Sequence, residues 1–163
     1  MEVCYRDFLI RSWEPRDRAS AADVIRMVLA EYSLDWQPEG ADQDVLEVET
    51  FYQVKGGEFW LVEQHTQIVG TAAYYPVLRG ENAVEIRKMY LLPEARGRGL
   101  GRYLLQTLEN AIAARGFQQI WIETDTVLKE AVKLYESSGY QATTGVETQR
   151  CDRVYIKVLT PEV

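Results

Sequence analysis

The chain of 163 residues has few of the side chains that most often carry metal or nucleophilic chemistry. It holds one histidine, His65, and two cysteines, Cys4 and Cys151, near opposite ends. A single imidazole excludes a multi-histidine metal site, and the cysteine spacing matches no zinc motif, so no bound metal is expected. A histidine-centred nucleophilic triad is excluded as well, because His65 sits in a short polar stretch between two strand-like runs and reads as a turn residue. Two distant thiols read as reduced and structural, the pattern of a cytoplasmic protein. No apolar run approaches the ~20 residues that a bilayer crossing needs, and no signal-peptide core opens the chain, so no membrane partner is expected. Bases are also in deficit: 18 Lys and Arg against 25 Asp and Glu leave a net charge of −7, which argues against nucleic acid as a partner. With no repeat, low-complexity tract or Pro-, Gly- or Ser-rich linker, residues 1–163 read as a single domain. A domain of this size buries roughly 70% of its unfolded surface and needs no disulfide or metal to hold its core.

The charges that are present are unevenly placed. Seven acids and no base lie between Glu31 and Glu49 (Glu31, Asp35, Glu39, Asp42, Asp44, Glu47, Glu49). From Arg87 to Arg102 the order reverses, with Arg87, Lys88, Arg96, Arg98 and Arg102 against Glu94 alone. A basic island on an acidic protein suggests a local anionic ligand, although two solvated faces would give the same pattern.

Hydrophobic periodicity divides the chain into alternating elements. Phe8–Trp13 reads as a strand, stopped by Glu14-Pro15. Asp17 is placed to cap a helix running to Glu31, with Ala21, Val24, Ile25, Val28 and Leu29 on one face. Asp42 or Asp44 is placed to cap a second helix through Tyr52. Phe59–Glu63 and Ile68–Tyr75 read as a hairpin with a longer turn around His65-Thr66, and Val84–Leu92 as a further strand. A helix from Gly99 to Arg115 carries Leu100, Leu104, Leu108 and Ile112 along one stripe, with Gly116 as its stop. Ile120–Thr124 is a strand, Leu128–Ser138 a helix, and Tyr140–Val146 and Val154–Leu159 are the last strands. Strands and helices alternate only in the middle, so the expectation is an α/β (α+β) fold with a mixed sheet and helices on both faces.

The most informative stretch is Tyr90-Leu-Leu-Pro-Glu-Ala-Arg96-Gly97-Arg98-Gly99-Leu100-Gly101-Arg102. A strand meets a proline, a glycine-rich bend and a helix start. Helix starts leave amide N–H groups without partners, and the helix dipole makes that end positive. Glycines allow successive amides to converge on one anion, and arginines add charge-assisted bonds. The physics points to a phosphate, most simply a pyrophosphate, at this helix start. The spacing fits neither the Gly-x-Gly-x-x-Gly dinucleotide fingerprint nor a P-loop, since no Gly-Lys-Ser/Thr follows.

This stretch resembles the acyl-CoA signature of the GNAT superfamily of N-acetyltransferases, Arg/Gln-x-x-Gly-x-Gly/Ala, with Arg96, Gly99 and Gly101 in place. A second family element, Glu-Ala-x-x-Leu-Tyr-x-x-x-Gly-Phe/Tyr, is matched by Glu130, Ala131, Leu134, Tyr135, Gly139 and Tyr140. The resemblance implies a mostly antiparallel sheet of about seven strands flanked by about four helices, splayed between the fourth and fifth strands as counted above. It also implies acetyl-CoA as cosubstrate. The pyrophosphate would lie on amides from Gly97 to Arg102, so Arg96, Gly97, Arg98, Gly99, Gly101 and Arg102 are candidate cofactor-binding residues. The pantetheine arm would add to the sheet beside Leu91, where a backbone N–H would polarise the thioester carbonyl.

The reaction implied is direct attack by the primary amine of a small-molecule or amino-acid-like acceptor. A lysine-type amine is mostly protonated at neutral pH, so a base is needed, and the leaving thiolate gains from an acid. Tyr135 occupies the acid's position, although it also lies on the apolar stripe of its helix. Glu85 is the candidate base, with Glu123, Asp125 and a water chain as alternatives; strand alternation puts Glu85, Arg87 and Met89 on one face, where Arg87 pairs readily with Glu85. Leu128 stands where many members carry an asparagine that contacts CoA, which removes one expected hydrogen bond. Asp35, Glu39, Asp42 and Asp44 suit a cationic acceptor, whereas Arg87 and Lys88 suit one that bears a carboxylate. Acetylation of a protein amine, or a non-catalytic acyl-CoA-sensing role, are the other readings of the same motifs, and an exposed strand edge near the C-terminus would suit a homodimer.

Overall fold

The computed structural model describes residues 1–160. An eight-stranded sheet runs through the molecule: β1 Glu2–Tyr5, β2 Phe8–Ser12, β3 Glu58–Gln64, β4 Gln67–Val77, β5 Ala83–Leu91, β6 Gln119–Thr124, β7 Gln141–Thr143 and β8 Arg153–Val158. Their spatial order is β1-β2-β3-β4-β5-β6-β8-β7, antiparallel throughout except for the parallel β5–β6 pair. The helices are α1 Arg18–Glu31, α2 Gln43–Leu46, α3 Leu100–Ala114 and α4 Lys129–Ser137. No helix among the described residues is long and apolar enough to cross a membrane.

Strand alternation sorts the core into two layers. Phe59, Leu61 and Ala73 pack with Ala21, Ile25 and Leu29 of α1 and with Val45 and Tyr52. Their neighbours Trp60, Val62, Ala72 and Tyr74, with Val84, Ile86, Ile120 and Ile122, pack with Leu104, Leu105, Leu108 and Ile112 of α3. Those four α3 side chains are at most 1% exposed, and each contributes roughly 1.5–3 kcal/mol by burial.

The sheet opens where β5 leaves β6. They pair only from Ala83 opposite Gln119 to Ile86 opposite Ile122, after which Arg87–Leu91 bonds to β4 alone. The departure begins at a bulge. The β4–β5 register shifts between Thr71 and Ala73, Lys88 adopts φ +50, and the Thr71 hydroxyl donates to the Lys88 carbonyl at 2.6 Å. A bulge bends its strand and increases its twist. The bulge therefore turns β5 away and leaves a V-shaped gap in the sheet. The expected splay is thus present, between the strands numbered here β5 and β6.

Several local expectations are corrected. An extra N-terminal strand, β1, pairs with β2 through a two-residue turn, Arg6-Asp7, with Arg6 at φ +53; no glycine or asparagine announces that turn. The β3–β4 connection is also a two-residue turn, with His65 at φ +49 and Thr66 at φ +66, rather than a longer one. Asp17 does not cap α1. Its carboxylate takes two bonds from Arg11 at 2.8 Å and one from the Glu14 amide. The single helix expected through Tyr52 is broken into α2 and a π-turn at Glu49–Gln53, and neither Asp42 nor Asp44 caps it, since both carboxylates turn to cationic partners. Of the last strands, β7 is shorter than expected, Gln141–Thr143, and β8, Arg153–Val158, is offset by one residue.

Candidate active site

The gap between β5 and β6 is floored by α3 and α4 and forms a cleft of about 760 Å³. One end is the glycine-rich bend. After β5, Pro93–Ala95 makes a single 3-10 turn, Arg96 is extended, and Gly97 and Gly99 take φ +77 and +78 before α3 begins at Leu100. Glycine is required at 99 on two counts: its φ is left-handed, and a Cβ there would lie 2.8 Å from the Tyr5 hydroxyl. That hydroxyl donates to the Arg98 carbonyl at 2.8 Å, so β1 pins the bend from outside. From the other side, Arg96 donates Nε–H to the Leu91 carbonyl at 3.0 Å and grips Glu31 of α1 at 2.7 and 2.8 Å.

The bend held in this way presents a row of free donors. The first amide of α3 to bond within the protein is that of Tyr103, to the Gly99 carbonyl at 3.1 Å. Among the described residues, none of the six amides from Gly97 to Arg102 donates to a protein acceptor. Six consecutive unpartnered N–H groups at the positive end of a fifteen-residue helix make an anion cradle.

Tyr135 of α4 also lines the cleft. Its ring is held 6.0 Å from that of Tyr140 and 6.2 Å from that of Tyr155. Its hydroxyl has no hydrogen-bond partner among the described residues and borders the cleft. Burial, reinforced by neighbouring Tyr90 and Cys151, raises its pKa, so it keeps its proton at neutral pH. Packing and proton donation are compatible here, since one uses the ring and the other the hydroxyl.

Of the nine residues singled out from the sequence, Leu91, Arg96, Gly97, Gly99, Gly101, Arg102 and Tyr135 border this cleft, and Glu85 and Arg98 do not. The Arg98 guanidinium points away, 3.7 Å from Asp7. Arg102 donates to the Ser137 hydroxyl at 2.9 Å, which ties α3 to the end of α4. Glu85 is buried between β4 and β6, with a carboxylate oxygen 3.3 Å from Arg87. Burial raises its pKa, against the lowering influence of Arg87. Glu123, an alternative base, borders the cleft but is saturated: it accepts from Arg79 and from the amides of Glu147 and Thr148.

The acidic segment differs from an open acceptor wall. Asp42 is fully buried, bonded twice by Arg150 at 2.6 and 2.8 Å and once by the Gln37 amide, with Lys88 3.0 Å away. Asp44 lies 3.4 Å from Lys88 and 3.5 Å from Arg87, and accepts a short hydrogen bond from Tyr52. Simple alternation fails at Lys88, because the bulge turns its side chain to the same partners as Arg87. Arg150 and Cys151, from the loop before β8, also border the cleft and carried no motif. The only advance signal for Arg150 was the run of acids from Glu31 to Glu49, which needs bases from elsewhere. Among the described residues, no group of three or more His, Cys, Asp and Glu side chains is placed to hold a metal ion.

Comparison with known proteins agrees with this architecture. The model of the Acetyltransferase (GNAT) family matches residues 23–140. The uncharacterized N-acetyltransferase YjgM of Escherichia coli (strain K12) is 38% identical over 130 residues, 77% of each chain. Matched vertebrate relatives are longer, and the chain spans about half the length of the probable N-acetyltransferase family 8 member 5 of Mus musculus. Among solved structures, a GNAT-family acetyltransferase from Staphylococcus aureus Mu50 superposes with a TM-score of 0.86 at 19% identity, covering 94% of this chain and 99% of that one. The PaiA N-acetyltransferase of Thermoplasma acidophilum, solved in complex with coenzyme A, gives a TM-score of 0.73 at 15% identity, covering 93% and 99%. With a free-amide helix start, a splayed sheet and a family match over most of its length, the chain belongs to the GNAT family of acyl-CoA-dependent N-acetyltransferases.

Proposed function

We propose that this protein transfers the acetyl group of acetyl-CoA to the primary amine of a small, amino-acid-like acceptor. The observation that carries the reading is the row of six unpartnered amides from Gly97 to Arg102, opening on the cleft that contains the free Tyr135 hydroxyl. A pyrophosphate suits that row, and a fold neighbour holds coenzyme A. The unpaired edge of β5, Arg87–Leu91, suits an extended amide-bearing arm such as pantetheine.

In this reading the thioester supplies an activated acetyl group, and the chain supplies position and protons. A main-chain N–H of β5 near Leu91 stabilises charge that develops on the carbonyl oxygen. Tyr135, held protonated by burial, delivers its proton to the departing sulfur. Glu85 takes the proton from the incoming ammonium through water, since its carboxylate stands off the cleft wall. Its raised pKa brings it nearer to neutrality and makes it a better base than an exposed glutamate. The amine nitrogen gains the acetyl carbon and the carbon–sulfur bond breaks; of the two protons the ammonium gives up, one passes through Glu85 to solvent and the other, shed as the amide forms, restores the Tyr135 hydroxyl after it has protonated the thiolate.

The test is a thiol-release assay with acetyl-CoA and a panel of amines, amino acids and lysine peptides. Acceptor-dependent release with a free amino compound is expected. Release with lysine peptides alone would overturn the small-acceptor reading, and binding of CoA with no release for any acceptor would favour a sensor.

A further inference from the structure

The acceptor end of the cleft carries an ion network of which the proposed transfer uses Glu85 alone. Arg87, Lys88 and Arg150 are packed with Glu85, Asp42 and Asp44, and none of these six side chains is more than 17% exposed. The two signs are segregated: the three bases border the cleft, and the three acids lie behind them. Charges out of water are costly unless paired. The rear carboxylates meet that cost and fix the cationic heads in place; the Lys88 ammonium is taken up by the Ala41 carbonyl, Asp42 and Asp44, whereas the two guanidiniums are not fully engaged.

Arg150 shows the consequence most clearly. Its Nη1 and Nη2 bond Asp42 end-on, and Nη1 also donates to the Asp35 carbonyl at 2.8 Å. The other two-pronged edge of the guanidinium, Nε–H with the second Nη2 hydrogen, has no acceptor among the described residues. Nε is not sealed off from the cleft either. Arg87 makes only long contacts, 3.3 Å to Glu85, 3.4 Å to the Tyr75 hydroxyl and 3.5 Å to the Ala41 carbonyl and to Asp44. Both guanidiniums therefore keep bonding capacity for a planar anion, which a carboxylate matches in shape. The acids that do border the cleft, Glu123, Asp125 and Glu130, belong to the opposite side, on β6 and the segment through the start of α4, and Glu123 is paired with Arg79. Arg87, Arg150, Tyr90 and Tyr135 all line the one cleft, so the cationic wall and the proton donor face a shared space.

We propose that Arg87 and Arg150 form a carboxylate-binding subsite, with the free edge of Arg150 as its principal contact and Lys88, its three donors directed to the Ala41 carbonyl, Asp42 and Asp44, supporting it from behind. The acceptor is then an amino carboxylate whose acid group lies a few bonds from the amine. This rests on the reading of the cleft as a site of transfer to a small amine, and it adds the second functional group of that acceptor.

The test uses matched acceptors: amino acids, their carboxamides and the corresponding decarboxylated amines. Each is assayed for acetyl-CoA-dependent thiol release, with CoA affinity measured in parallel. One charge-assisted bond contributes roughly 1.5–3 kcal/mol, so acids should exceed their amides in kcat/KM by about tenfold or more. Arg150→Gln combined with Asp42→Asn, which leaves no carboxylate stranded, should bring the acid-to-amide ratio within about threefold through KM, with CoA affinity unchanged. Arg150→Lys should keep part of the preference. The ratio reads recognition rather than folding, because a structural defect lowers both members of a pair together. Equal use of acids, amides and decarboxylated amines, or a ratio untouched in the double variant, overturns the subsite and leaves acetyl transfer standing. No transfer to any member by protein that still binds CoA overturns the small-acceptor reading, and the subsite with it.

Discussion

In the proposed reaction Tyr135 would meet two demands, packing and proton donation. The Tyr135 ring is a core side chain, 4% exposed, while its hydroxyl stays unbonded at the cleft. Replacing it with phenylalanine keeps the packing and removes only the proton. Tyr135→Phe should therefore lower kcat by roughly 10²–10⁴-fold with CoA affinity unchanged, the range for general acid–base groups. A loss under about threefold in a single-turnover assay would assign Tyr135 to packing alone. Glu85 must be ionised to act as a base, and its pKa is raised. Activity should then be lost as pH falls through a value above that of an ordinary glutamate, and Glu85→Gln should remove that acid limb while lowering the rate. An acid limb unchanged in Glu85→Gln would give the role to another group.

At the scale of elements, the bend before α3 works because its own protein leaves it unsatisfied. Arg96 and the Tyr5 hydroxyl fix its shape through Glu31, Leu91 and Arg98, and the amides remain for a ligand. Gly101 separates these two roles. A Cβ there would meet nothing closer than 3.5 Å, so the protein itself does not demand glycine. Gly101→Ala should keep or raise the melting temperature, because glycine costs about 1 kcal/mol in a helix. It should weaken CoA binding by about tenfold or more, since each 1.4 kcal/mol of lost contact is tenfold in affinity. Retained affinity by calorimetry would place the phosphates elsewhere. The glycines, the proline and the leucine stripe made this bend legible in the sequence. Its outer support was not, because β1 is a short edge strand with exposed alternate residues and an Arg6-Asp7 turn that carries no turn signature. Alternation likewise misplaced Lys88, whose left-handed backbone is forced by a bulge that depends on Thr71 of the neighbouring strand.

At the scale of the molecule, two loops distant in sequence meet over the open sheet. The segment around Asp42 and the loop holding Arg150 are latched by a two-pronged ion pair, with Lys88 beneath. The sequence displayed the acids and the bases but not their partnership, since pairs separated by 108 positions leave no local pattern. Burial opposes ionisation of Asp42, yet Arg150, Lys88 and the Gln37 amide outweigh it and hold its pKa at about 2, below the ordinary 3.8. A depressed carboxylate stabilises the fold above its unfolded pKa and ceases to do so as pH falls through the folded value. The latch should thus contribute about 2 kcal/mol at neutral pH, lost between roughly pH 4 and pH 2. Urea unfolding across that range should show this loss in the native protein and not in Asp42→Asn paired with Arg150→Gln; equal acid sensitivity of the two would contradict the assignment. Whether the amides from Gly97 to Arg102 hold the pyrophosphate of CoA is read by titrating CoA into ¹⁵N-labelled protein. These six amide signals should undergo the largest shifts, and inorganic pyrophosphate alone should move the same set. Saturation with CoA while those six signals stay in place would contradict this placement of the pyrophosphate.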